Sequence, residues 1–292
     1  MYKAIAANKR NTVIIMAVFV GLITAIGWVV SYFYGNTSVT TWVLIGALMY
    51  ALIQYFAAGS LAVAMTGAQQ IEKKDDPRLY RTVENLSITL GIPMPKVYII
   101  DDRSPNAFAT GRNPQHAIVA ATTGLLDLMN DRELAAVMAH EMGHVQNYDI
   151  RVSMIAFGLV SAIGILSDIV MRMLFFGDNR RENNSNPLVL VVGIVVVVLA
   201  PIIAAIVQMA ISRQREYLAD ATGAMTTRDS AGMESALQKL LEFGRPMQKQ
   251  SSATAQLFIS NPLRPGFFAN LFSSHPPLED RINRLRHNAD KF

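Results

Sequence analysis

The chain has 292 residues, of which 51% are hydrophobic and only 16% charged, against about a quarter charged in an ordinary soluble domain. That balance points to a membrane protein, and the net charge of +4 fits basic flanks beside anionic lipid. The basic residues are scattered with no recognition motif, which argues against nucleic acid as a partner, and the absence of cysteine excludes disulfides, thiolate zinc sites and a thiol nucleophile.

No charged residue lies between Arg10 and Glu72, a gap that holds two helices of bilayer length, roughly 20 residues each. Asn11 to Tyr34 is the first candidate span and Thr40 to Thr66 the second, with Gly35–Ser38 as the turn. The first apolar stretch is too long for a signal peptide, and a second span follows at once. A third span is expected over Val152–Phe176 and a fourth over Pro187–Ile211. Asp168 and Arg172 interrupt the third, four apart, where they can pair or meet the water interface. Lys3, Lys9 and Arg10 precede the first span and the following turn has no basic residue, so the N-terminus is expected in the cytoplasm. Arg180 and Arg181 in the outward loop 177–186 count weakly against that orientation. Four spans divide the chain into an N-terminal hairpin (1–66), polar segments at 67–151 and 212–292 on the cytoplasmic side, and a second hairpin (152–211) inserted between them.

Within the first polar segment, Asp76-Pro77 reads as an N-cap with proline at the first helical position. Leu79, Val83, Leu86 and Leu90 then keep helical spacing as far as Gly91. Lys96–Ile100 is rich in β-formers, and Asn106–Thr110 and Ala117–Ala121 read as two more short strands around the turn Gly111–Gln115. Asn130 and Glu133 form a capping box ahead of Leu134, Val137 and Met138, so a helix is expected at 131–147. It carries HEMGH. His140 and His144, four apart, share one helix face and can ligate one metal ion, with Glu141 beside it to take a proton from water. Helices are expected at about 213–225, 229–243 and 276–288, with a mobile loop at Gln248–Phe272.

A catalytic zinc site normally takes three protein ligands. A metzincin would place glycine at 147 and histidine at 150, but the chain has Asn147 and Ile150. His116, His275 and His287 remain, with the carboxylates Asp149, Glu216 and Asp220. Glu216 stands where the fourth span emerges, and Asp220 lies one turn further on the same face, suited to hold a ligand histidine by its free ring N–H. A solvated helix face paired with Arg213 and Arg215 explains the same two residues, and the pattern alone does not choose between the readings.

The motifs SPNAFATG (104–111), ATTGLLDLM (121–129), AHEMGH (139–144), SRQREYLAD (212–220) and SHPPLEDRI (274–282) resemble, in order, those of the HtpX-type membrane zinc proteases of peptidase family M48. The resemblance implies a mainly helical integral-membrane gluzincin with a small β-sheet, four transmembrane helices and a cytoplasmic protease domain. It implies one zinc per chain on His140, His144 and Glu216, with Glu141 as general base and Asp220 behind the ligands. It further implies a bacterial inner-membrane enzyme that cuts damaged or misassembled membrane proteins. His275 could donate a hydrogen bond to the developing oxyanion, or simply cap the final helix. Arg281 could reach the site, but a pair with Glu279 or Asp280 is the expected arrangement, and His116 and His287 are expected to be surface residues. Asn106, Ala107, Phe108 and Ala109 are expected to receive substrate as an added strand, through bonds indifferent to side-chain identity. Two other readings stand: a CAAX-type prenyl-protein protease of the same family, and a non-catalytic membrane scaffold.

Overall fold

The computed structural model describes residues 2–156, 158–159, 162, 213–249, 251–255, 257–263 and 276–287. Most of the expected third span, all of the fourth and His275 lie outside them. What is described is mainly helical with one small mixed sheet.

Two long helices open the chain, α1 (Tyr2–Tyr34) and α2 (Ser38–Thr66). Both are long and apolar enough to cross a membrane, and in each most of the apolar window is not buried by protein. Trp28, Tyr32 and Trp42 cluster by sequence around the connecting turn and are 63%, 77% and 71% exposed, as aromatic side chains at a membrane–water interface are. Ala47, Ala51, Ala58 and Ala62 supply small side chains along the buried face of α2. Small residues let neighbouring backbone approach closely. Gly67, in the left-handed region at φ 72°, ends α2 and turns the chain into a two-residue strand, β1 (Gln69–Gln70), which its short polar sequence did not suggest.

Helix α3 (Pro77–Leu90) begins as its sequence dictates: the Asp76 side chain accepts from the Leu79 N–H, and Gly91 closes it in the left-handed conformation. Strands β2 (Lys96–Ile100), β3 (Ala107–Gly111) and β4 (Ala117–Thr122) form a sheet in the order β1-β2-β4-β3. β2 runs parallel to β4, and β3 antiparallel to it, which leaves β3 at one edge. After the short α4 (Thr123–Leu128) comes α5 (Asp131–Gln146), whose capping box is complete in both directions. The chain then provides α6 (Arg213–Thr227), α7 (Ser230–Phe243) and α8 (Leu278–His287).

Leu134, Val137, Met138 and Met142 of α5 sit at the centre of one core with α3, the sheet, α7 and α8. A second core joins Ile15 and Phe19 of α1 and Ala58 and Ala62 of α2 to Phe108 and Met154. The hairpin is therefore packed into the globular part. Segment 248–272, expected to be loose, is tethered where it is described. Leu257, Phe258 and Ile259 are buried, Phe258 bridges Phe108, and their rings meet edge to face with centroids 5.2 Å apart. The apolar run Leu257–Ile259 is too short to stand out as a strand, and packing against β3 decides its place.

The capping box is the local anchor of α5. Replacing its side-chain acceptor, Asn130→Ala, is expected to cost about 1 kcal/mol, seen as a lower thermal unfolding midpoint in detergent.

Candidate metal centre

Helix α5 presents His140, Glu141 and His144 in the interior, with His140 0%, Glu141 2% and His144 9% exposed. One helical turn separates the two imidazoles, and their Nε2 atoms stand 3.2 Å apart. Helix α6 packs against α5 through small residues. A Cβ on Gly223 would lie 3.2 Å from the His140 backbone N, and one on Gly143 would lie 3.4 Å from Thr222. That closeness carries Glu216 to the imidazoles: its oxygens lie 3.7 Å from His140 Nε2 and 3.6 Å from His144 Nε2. An ion bound tetrahedrally at about 2.1 Å sets its ligand atoms ~3.4 Å apart, so these three side chains match the edges of such a site. They are the only group of three or more potential metal-ligating residues among those described.

Each imidazole is held from behind. His140 Nδ1 donates to Asp220 Oδ1 at 2.9 Å, and His144 Nδ1 donates to Asp149 Oδ2 at 3.0 Å. A proton fixed on Nδ1 leaves the Nε2 lone pair for a metal. Asp220 is itself gripped by Arg281, whose Nε and Nη2 donate to its two oxygens at 2.9 and 2.6 Å. Burial would raise the Asp220 carboxyl, but the charge and hydrogen bonds of Arg281, with His140, bring it down to about 2. Burial and the same guanidinium lower His140 to about 4, which keeps it neutral. Burial alone would lower His144 too, yet Glu216, Asp149 and Glu141 outweigh it and hold it up to about 9. Without a metal, His144 takes a proton in answer to these carboxylates, a positive charge that a bound cation would supply instead. Burial pushes Glu141 up to about 7, and its carboxylate accepts from the backbone N–H of Ala109 on β3.

Three features differ from the sequence-based expectations. Arg281 is 0% exposed and reaches Asp220, whereas Glu279 and Asp280 were the expected partners. The clue was present: Leu278, Arg281, Ile282 and Leu285 share one helix face, so the arginine rides on the apolar side. Asp149, weighed as a ligand, instead orients His144. Tyr148 in the left-handed region at φ 62° turns the chain after α5 and brings Asp149 back beside it. No side-chain periodicity announces such a turn. Asn8 of α1 was not anticipated at all. It is 4% exposed and donates to Asp149 Oδ1 at 2.6 Å and to the Asn147 carbonyl at 2.9 Å.

The expected substrate strand is narrower than Asn106–Ala109. The Asn106 side chain donates to the Ser260 carbonyl at 2.8 Å, the Ala107 carbonyl accepts from the Ile259 N–H at 2.9 Å, and Phe108 is packed on Phe258. Segment 257–260 thus already occupies that half of the edge, and Ala109, facing Glu141, marks where it ends. His116 and His287 are exposed, as expected of surface residues.

Residues 73–289 match the model of Peptidase family M48. A Protease HtpX homolog of Tropheryma whipplei (strain Twist) is 57% identical over 292 residues, covering 100% of both chains. Proteins of the same name from Streptococcus gordonii and Limosilactobacillus fermentum are 43% and 46% identical over 295 and 297 residues, each spanning 98% of this chain and 99% of the relative. The chain also resembles the crystal structure of S. mikatae Ste24p, with a TM-score of 0.51 and 19% identity over 98% of this chain and 67% of that one. At that identity the likeness speaks for the fold.

Asp149→Ala, which frees the His144 ring, is expected to weaken metal affinity about 10–100-fold in a chelator competition. Asn8→Ala removes two buried hydrogen bonds a step further out, one of them to Asp149, and a loss of roughly fivefold is expected. Equal affinity in all three proteins would show that the Asn8–Asp149–His144 chain does not support the site.

Proposed function

Because the chain belongs to peptidase family M48 and is a membrane metalloprotease, we propose that it is a zinc-dependent endopeptidase holding one zinc through His140, His144 and Glu216. The observation that carries this reading is the convergence of those three ligand atoms, all within 4.8 Å of one another, with Glu141 on the same helix. Two imidazoles and a carboxylate suit zinc, and a cysteine-free chain has no thiolate to compete for it.

When bound, zinc supplies Lewis acidity, which polarises a carbonyl and acidifies water. The rest falls to the protein. Glu141, raised toward neutrality by burial, is matched to accept a proton from water near pH 7 and return it to the leaving amine. Asp220 and Asp149 keep both imidazoles in the ligating tautomer, and Arg281 keeps Asp220 ionised. The peptide adds as a strand along β3 at Ala109 and beyond, past the stretch at Asn106–Phe108 that Ile259 and Ser260 cover. His275 takes the part of hydrogen-bond donor to the oxyanion, a role that rests on the SHPPLEDRI motif.

The proposed topology has four spans: the hairpin 1–66, a second hairpin at 152–211, and a protease domain from 67–151 and 212–292 facing the cytoplasm of a bacterial inner membrane. The positive-inside bias of Lys3, Lys9 and Arg10 supports the orientation, and the apolar run at 187–211 supports the fourth span. Substrates would be damaged or misassembled membrane proteins, a role consistent with the name borne by its relatives and with a site tied directly to a membrane helix through Asn8.

Casein digestion by the purified chain tests the chemistry. Chelation is expected to stop cleavage and added zinc to restore it. Glu141→Gln should keep its metal and lose about 10²–10⁴-fold in rate, whereas Glu216→Ala should lose the metal itself. A Glu141→Gln protein of full activity would remove the glutamate from the mechanism.

A further inference from the structure

Where α2 meets the sheet, Phe56 and Gly59 line a cleft of about 330 Å³ with Met94, Ile118 and the basic residues Lys96 and Arg112. No carboxylate lines it, and among the described residues none pairs with Lys96, Arg112, the neighbouring Arg151 or Lys9. Three of these cations, Arg112, Arg151 and Lys9, rest on aromatic rings instead. The Arg112 guanidinium lies 5.0 Å from the Phe56 centroid, Arg151 5.8 and 5.1 Å from Tyr55 and Tyr148, and Lys9 4.7 Å from Tyr148. Arg112 Nη2 also donates to His116 Nε2 at 2.8 Å, which places the ring proton on Nδ1, donated to Asn113 Oδ1 at 2.7 Å. So held, the His116 ring steers Arg112 at the cleft wall.

Cations collected without counter-charge repel one another and want an anion. The shape selects which one. Phe56 belongs both to the cleft and to the apolar stripe Met49, Leu52, Ile53 and Phe56 on α2, each more than half exposed. At helical spacing these four line up along one face for ~10 Å of the span. A free phosphate or an acidic peptide has no use for that apolar continuation; a lipid places its acyl chain there.

We propose that this cleft is a binding site for an anionic phospholipid, its phosphate held by Arg112 and Lys96 and its acyl chain laid along α2. Bound there, the lipid would sit at the Gly111 end of β3, because Gly59 of α2 lies against Gly111. The site concerns anchoring of the sheet to the bilayer and does not depend on the zinc chemistry.

Native mass spectrometry of the full chain in detergent tests it, with phosphatidylglycerol and phosphatidylcholine offered in equal amounts. One phosphatidylglycerol is expected to be retained in preference, and inorganic phosphate should not displace it. Removing each cation should weaken retention roughly fivefold, so K96Q/R112Q loses on the order of thirtyfold. Lys96→Gln alone, at an exposed side chain, keeps the test valid if the double variant folds poorly. Lys73→Gln/Lys74→Gln, at lysines already paired with Glu84 and Glu72, should change nothing. Equal retention of the two lipids, displacement by inorganic phosphate, or an equal loss in the Lys73/Lys74 control would each overturn the proposal.

Discussion

The structure depends on two carboxylate–imidazole pairs: Asp220 on His140 and Asp149 on His144. Each fixes a ring proton on Nδ1 and so aims an Nε2 lone pair at the same point. A buried histidine left to itself could carry its proton on either nitrogen and turn its ring. Here the carboxylates hold Nδ1 and the ring orientation, and at His144, held up to about 9, a metal has only the Nε2 proton to displace. The arrangement demands charge compensation, since two aspartates, Glu216 and Glu141 lie in one protein interior. The fully buried Arg281 offsets part of that charge, and a divalent cation would offset more.

The supports come from three distant parts of the chain. Asp220 and Glu216 arrive on α6, Arg281 on α8 and Asn8 on the first membrane helix. Assembly of the site is therefore coupled to assembly of the hairpin on the globular part. Ile15 and Phe19 of α1 and Ala58 of α2 share a core with Phe108 of the sheet's edge strand, which strengthens that coupling. Detaching the hairpin would expose this core and leave Asp149 with one hydrogen bond fewer. The same seam meets the basic cleft between α2 and the sheet, so bilayer, sheet edge and metal centre are within a few side chains of one another.

Much of this was legible in the sequence where local rules agree. The capping box at Asn130 and Glu133, the Asp76-Pro77 start with its Gly91 stop, and the three β-rich runs all became the elements their residues favour. HEMGH marked two candidate ligands because helical period alone places them on one face. The sequence left the next two residues open, since Glu216 and Asp220 also fit a solvated face; packing of α6 on α5 buries both beside the imidazoles. What lay hidden is non-local. Asp149 reaches His144 through a single left-handed residue, Asn8 acts across 141 positions, and Ile259 covers β3 from a stretch that read as loop. Glu279 and Asp280 offer Arg281 easy local partners, yet its place on the apolar face of α8 sends it inward to Asp220.

The central claim is that two imidazoles from α5 and one carboxylate from α6 hold a single ion. Zinc K-edge X-ray absorption on the purified full-length chain tests it most directly. One zinc per chain is expected, with two imidazole nitrogens and oxygen neighbours at about 2.0–2.2 Å, and loss of bound zinc in Glu216→Ala. A spectrum without imidazole scattering, or one unchanged by Glu216→Ala, would contradict it.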